Sequence, residues 1–261
     1  MLLIKTVALL CSATAVMAAN SVASGAIFVG KDTSDSSASP IDVYSNPSNH
    51  ATAAASVLVF AAKSVNFHPS SQEPKALGQN LEQFQTKVTS FPGFVLQDIQ
   101  DYFLGLDGSL TQFEKTIGEQ LDDPNIARAL RGLVPDNVED QSSTDWVLSL
   151  IVLSKPAGTN TVNVKLVQVS LIISSDGNTA TIPEQSARLV VSDLQVAERV
   201  FVLNAETFAD RIPTTSVSDF INFFTSPKDF SRRDQAQRGS ASCLRNRMTF
   251  KDRQAILSWI H

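Results

Sequence analysis

Cysteine is almost missing from this chain: only Cys11 and Cys243 occur in 261 residues. Two such distant cysteines make no disulfide framework, so a hydrophobic core must hold the fold, and the length is ample for one. Histidine is as scarce. His50, His68 and His261 are the whole set, too few and too scattered for a zinc cluster, and no H-E-x-x-H run occurs. The glycine signatures of nucleotide sites and the G-x-S-x-G elbow of serine hydrolases are missing too. His68, between Phe67 and Pro69, reads as a solvated turn residue rather than a triad base. Trp146, Trp259, Tyr44 and Tyr102 are the only Trp and Tyr residues, a thin supply for sugar binding. A net charge of −5 and a pI near 5.2 leave no broad basic face, which argues against nucleic acid as a partner. No asparagine sits in an acceptor sequon, because Asn46 is followed by Pro47.

Hydrophobic runs are short as well, and the first of them is best read as a leader. Lys5, the apolar Val7–Leu10 and the small residues from Ala15 through Ala18 and Ala19 describe a secretory signal peptide over residues 1–19, too short to span a bilayer. Its removal takes away Lys5 and Cys11. The mature chain then holds 21 − 1 = 20 basic against 26 acidic residues, a net charge of −6, with Cys243 as its one cysteine.

What the sequence does have is β-branched residues, concentrated between Asp145 and Glu206. Trp146–Leu153, Thr161–Ile173, Ala187–Val191 and Val200–Leu203 read as strands. Pro156–Gly158, Asp176–Asn178 and Pro183 separate them. The short connections favour antiparallel neighbours, although residues 174–186 leave room for another path. Trp146–Leu153 is apolar on both faces and belongs at the centre of a sheet. Thr161–Ser174 alternates, but its phase flips at Leu166–Val167. A β-bulge there would keep one continuous apolar face over an unusually long strand.

Upstream the chain reads as helices. Ala51–Val65 is apolar nearly all round, with Ser48 or Asn49 as cap and Pro69 as stop. Leu77, Leu81, Phe84 and Val88 form one stripe, and Val95, Ile99, Tyr102 and Leu106 a second. Leu110, Phe113, Ile117 and Leu121 form a third behind the cap Ser109. Asp123-Pro124 opens a fourth with Ile126, Leu130 and Leu133. Residues 20–50 are Ser/Ala-rich with an apolar island at Ala26–Val29. The preferred reading is a disordered lead-in, and the alternative is a short strand on a tether, free to pair with another chain's sheet edge. Ser216–Phe224 gives a last helix. From 228 to 261 the chain turns basic, with the dibasic pair Arg232-Arg233, and reads as a disordered tail. Carboxylates such as Asp98, Asp101, Glu114, Glu119, Asp122 and Asp123 lie on outer faces. A hydrolytic pair among Glu184, Asp193 and Glu198 is a low-ranked reading, since enzymes of that kind that act on sugars bring more aromatic residues.

The order of parts resembles the Cyt-type (CytB-like) δ-endotoxins and volvatoxin: amphipathic helices, a Trp-led strand, a very long amphipathic strand, then the run Glu184–Ala209 with its Gln185, its polar centre and its Phe208-Ala209 close. The resemblance covers about residues 51–227. It implies a single α/β (α+β) domain in which a mostly antiparallel, long-stranded sheet is wrapped by helical layers. It further implies no enzyme activity and no cofactor, but a secreted cytolysin that binds membrane phospholipid, oligomerises on membranes, and forms a dimer in solution. Under it, Val162, Val164, Leu166, Val169, Leu171, Ile173, Leu189, Val191, Val200 and Val202 are the membrane-inserting strand candidates. Ala18, Ala19, Arg232 and Arg233 are processing candidates. A non-lytic secreted binding protein of the same fold is the alternative.

Overall fold

The computed structural model describes residues 21–31, 34–68, 74–106, 108–134, 144–175, 180–182 and 187–225. The leader, the basic tail, Pro69, Glu184 and all four processing candidates lie outside them.

A mixed sheet is the frame. Five strands, β1 (Ser21–Gly30), β2 (Phe94–Leu104), β3 (Thr144–Lys155), β4 (Asn163–Ser175) and β6 (Ala187–Val196), lie in the order β1-β3-β4-β6-β2, and the two-residue β5 (Ala180–Thr181) pairs with β4. Every pairing is antiparallel except β1 with β3. The Pro156–Gly158 turn joins β3 to β4, with Gly158 at φ +76° supplying the left-handed residue. The single-domain α+β layout with a largely antiparallel, long-stranded sheet is as expected.

Helices cover both faces. On one lie α1 (Pro40–Ser45), a 3₁₀ turn (Pro47–Asn49), α2 (His50–Ser64), α3 (Pro74–Thr89), α6 (Glu198–Leu203), α7 (Ala205–Arg211) and α8 (Val217–Thr225). On the other lies a hairpin of α4 (Leu110–Leu121) and α5 (Pro124–Leu133). Three of the four stripes read from sequence turn buried helix faces to the core, while Val95 and Ile99 of the second are exposed. Leu77, Leu81, Phe84 and Val88 of α3 are buried, as are Phe113, Ile117, Ile126 and Leu130 of the hairpin. The caps also form: Ser109 Oγ accepts from Gln112 N–H, and Asp123 Oδ1 from Asn125 N–H and Ile126 N–H. Asn49 stands at the start of α2, but its side chain makes no capping bond there.

Four expectations fail. Residues 94–104 are a strand, not a helix. Their apolar residues fit a helical stripe, but pairing with β6 satisfies the backbone, and Phe, Val, Ile and Tyr are at home on a pleated surface. Val200 and Val202 lie in helix α6, not in a strand, because the chain turns off the sheet at Ala197, whose carbonyl accepts from Val200 N–H and Phe201 N–H. The island Ala26–Val29 is neither disordered nor tethered for another chain. It is part of β1, paired in parallel with this chain's own β3. Finally, β4 has no bulge, since its register with β3 runs unbroken from Asn163 to Ile173.

Phenylalanines knit the larger cover together. Phe201 lies 5.5–6.2 Å, centroid to centroid, from Tyr44, His50, Phe91, Phe94 and Phe208, so α1, α2, α6, α7 and the entry to β2 meet on one ring. Phe201→Ala should therefore cost about 3–5 kcal/mol of unfolding free energy, read as a lowered urea midpoint at unchanged slope.

Candidate functional site

The absent bulge decides how the sheet is used. In β4, Val164 and Leu166 are buried against α2 and its neighbours, whereas Val167, Val169, Leu171 and Ile173 are buried against the α4–α5 hairpin. Because side chains alternate, a run whose apolar parity changes at Leu166–Val167 changes faces. β6 does the same in reverse. Ala187, Leu189 and Val191 face the hairpin, and Leu194 and Val196 face the α2 side. Each face is thus apolar over one half and polar over the other, and the two apolar halves sit at opposite strand ends. The sheet's bulge lies in β2, between Leu96 and Asp98. There it moves the side chains of even-numbered residues from the α2 face, occupied by Phe94 and Leu96, to the hairpin face, occupied by Tyr102 and Leu104.

The predicted membrane-contact residues therefore divide between two layers. Val162, Val164 and Leu166 belong to the α2-side core, and Val169, Leu171, Ile173, Leu189 and Val191 to the hairpin-side core, all of them buried. Val200 is half-buried, and Val202 is 41% exposed, both on α6. An aspartate at Val164 or Leu171 would place a charge in a closed core, so folding fails before any membrane step is tested.

The polar halves carry ion pairs. Lys165 and Asp193 meet at 3.0 Å on the hairpin face, beyond the reach of the hairpin core. On the α2 face Arg188 Nε donates to Asp101 Oδ1 at 2.8 Å, and its Nη2 bonds Oδ2. The guanidinium holds the Asp101 carboxyl below the usual carboxylate range, chiefly through those hydrogen bonds. It also stands 5.7 Å from the centre of the Phe103 ring. Of the carboxylates considered for hydrolysis, Asp193 is thus engaged with Lys165, and Glu198 is exposed at the start of α6. Among the described residues no cluster of His, Cys, Asp and Glu could hold a metal ion. No described helix is long and apolar enough to cross a membrane.

Sequence reading missed the polar pins beneath the α2-side cover. His50 is fully buried. Its Nε2 lies 3.0 Å from the Tyr44 carbonyl, which makes that nitrogen the donor, while Nδ1 has no partner. Lys155, also buried, donates from Nζ to the Ser48 carbonyl at 2.8 Å. Ser56 Oγ accepts from Thr215 N–H at 2.8 Å and donates to the Thr52 carbonyl at 2.8 Å, tying α2 to the entry of α8. Tyr44 Oη donates to the Ile212 carbonyl at 3.2 Å, and burial pushes its phenol well above the ordinary value.

No family model matches the chain, and no curated protein does. Among solved structures its neighbours include δ-endotoxins and a virulence factor. A structure titled delta-endotoxin superposes with a TM-score of 0.40 at 8% identity, over 76% of this chain and 86% of that one. The activated Cyt2Ba monomer from Bacillus thuringiensis subsp. israelensis gives 0.36 at 8% identity, over 66% and 95%. The Evf virulence factor gives 0.33 at 7%, over 76% and 83%.

Burial lowers the pKa of His50 below 6.5, opposed by the Tyr44 carbonyl and Glu198 and reinforced by Lys155. A depressed histidine is neutral in both states above about pH 6.5, and below it the unfolded chain binds the proton first. Stability should accordingly be full above pH 6.5 and fall as the pH drops toward the folded-state value. His68 shifts in the same direction, mainly through burial. In a His68→Gln background, His50→Gln should flatten the remaining acid slope between roughly pH 6.5 and 5, as followed by urea unfolding.

Proposed function

We propose that this protein is secreted and perturbs membranes: a cytolysin that binds phospholipid directly, oligomerises on the bilayer and permeabilises it. The observation that carries the reading is the two-faced sheet. β3 and β4 are 12 and 13 residues long, more than the roughly 9–11 residues that a tilted strand needs to cross the hydrocarbon core. Their apolar side chains are hidden under short amphipathic helices rather than under a second sheet. Such covers are removable, since a helix satisfies its own backbone hydrogen bonds and can leave intact.

In this mechanism the α4–α5 hairpin and then α2 and α3 move from the sheet to the bilayer surface. The freed faces, with Val169, Leu171, Ile173, Leu189 and Val191 on one side and Val162, Val164 and Leu166 on the other, meet acyl chains. Strand edges cannot stay unpaired in lipid, so the inserted sheet closes with strands from other copies. Because Val200 and Val202 sit on α6, they take part as helix surface rather than as strand. The resemblance read from the sequence points to the same activity. The alternative is a secreted binding protein whose covers never open.

Dye release from phosphatidylcholine vesicles separates the two readings. The chain beginning after residue 19 should cause leakage that rises more steeply than linearly with protein concentration. Trypsin cleavage at Arg232-Arg233 should leave that leakage intact or increase it. A folded protein that releases no dye in either form would support the binding-protein reading instead.

A further inference from the structure

Among the described residues the outer edge of β2 is open, and its chemistry is self-complementary. β2 is the last strand of the sheet, and among the described residues no strand pairs with its far side. Two observations show which backbone groups point outward. First, Val196 N–H bonds the Val162 carbonyl and Ala197 N–H bonds the Gly93 carbonyl. Even-numbered residues of β6 therefore direct their backbone groups to β4, and odd-numbered ones to β2. Ile99, Asp101 and Phe103 stand opposite Ser192, Val190 and Arg188, so their own backbone groups face away from β6. Second, the N–H of Ile99 is taken up by its neighbour's carboxylate, Asp98 Oδ1, at 2.9 Å.

Those three residues also project their side chains to one face, the polar half beyond the α2-side core. Ile99 is 55% exposed and Phe103 83% exposed. Asp101 between them is already paired with Arg188, which flanks the Phe103 ring. No lysine or proline, the usual guards of an edge strand, occurs between Phe94 and Leu104. The guard present is Asp98, whose side chain occupies an outward donor.

We propose that β2 pairs antiparallel with the β2 of a second copy of this chain, about a two-fold axis through Asp101. This register sets outward groups against outward groups. It places Ile99 opposite the partner's Phe103 and Phe103 opposite the partner's Ile99. At the axis it brings together two Asp101 carboxylates, each neutralised by its own Arg188, rather than two bare charges. Shifting the centre by one residue opposes Ile99 to Asp101 and loses both apolar pairs. About four backbone bonds form across the edge while Asp98 holds the Ile99 N–H of each copy, and about six once it lets go, and the sheet becomes continuous through both copies. A two-fold pairing is closed, so it stops at a dimer. The inference stands whether or not the protein acts on membranes.

Sedimentation of the full secreted chain over a concentration series tests it. The wild type should show a reversible monomer–dimer equilibrium. Ile99→Lys should weaken it at least tenfold, and Phe103→Lys likewise, with far-ultraviolet circular dichroism unchanged. Asp98→Ala releases the Ile99 N–H and should tighten the dimer. Amide exchange at Asp101 and Phe103 should slow with concentration. A chain that stays monomeric as wild type and as Asp98→Ala would overturn the proposal. A dimer indifferent to both lysine variants would do the same. Protection of those amides that does not vary with concentration would also overturn it, and would assign the edge to a segment of the chain's own residues 226–261.

Discussion

A sheet that is apolar on both faces has to be covered on both faces, and that requirement organises this molecule. Burying one aliphatic side chain contributes about 1.5–3 kcal/mol, and β3 buries Leu148, Leu150, Ile151, Val152 and Leu153 in succession. One helical layer cannot serve both sides. The chain therefore spends its first helices, α1 to α3, on one face and its next pair, α4 and α5, on the other. The last three helices, which follow the sheet, return to the first face and lock it with phenylalanines.

The two covers are attached differently. The larger is pinned by buried polar contacts as well as by packing: His50 to the Tyr44 carbonyl, Lys155 to the Ser48 carbonyl, Ser56 to Thr215. The His50 and Ser56 contacts bind the helices of that cover to one another, whereas Lys155 to Ser48 and Gln85 to Gln168 bind the cover to the sheet, and lifting it breaks those two at about 1–3 kcal/mol each. The hairpin lies on its face through an apolar stripe. Leu133 rests on β1 beside Gly25, where a Cβ would stand 3.3 Å from a Leu133 methyl group. A hairpin with its own internal packing can leave the sheet as one piece. That makes it the natural first mover in any opening of the fold.

Much of this was legible in the sequence because each element obeyed a local rule. The cap at Ser109, the Asp123-Pro124 start and the stripe Leu77–Leu81–Phe84–Val88 name their helices, and β-branched density names β3 and β4. What failed is instructive in physical terms. Residues 94–104 carry apolar spacing that also fits a helix, and only the pairing partner, β6, decides for a strand. The short run Val200–Leu203 has strand composition, but at four residues it is ruled by the turn at Ala197. The phase flip at Leu166–Val167 is visible in the sequence, where a bulge that keeps one apolar face accounts for it as well as a strand that serves two faces; only the tertiary structure decides for two. Lys155 and Ser48, like Thr215 and Ser56, lie far apart in the chain, and the His50–Tyr44 bond runs between two helices rather than along one, so periodicity carries no sign of these pins. The open edge of β2 could not be anticipated while that segment was read as a helix.

Opening of the α4–α5 hairpin is the central claim, and a reversible tether tests it most directly. With Cys243→Ser to remove the native thiol, Gly25→Cys and Leu133→Cys, joined through a short cross-linker that contains a reducible disulfide, would tie β1 to the end of α5, where a Cβ on Gly25 would stand 3.3 Å from a Leu133 methyl group. Vesicle leakage should be abolished in the cross-linked protein and restored on reduction, with vesicle binding retained in both states. Equal leakage from the cross-linked and reduced forms would contradict the account, because the membrane step would then proceed with the hairpin still seated on the sheet.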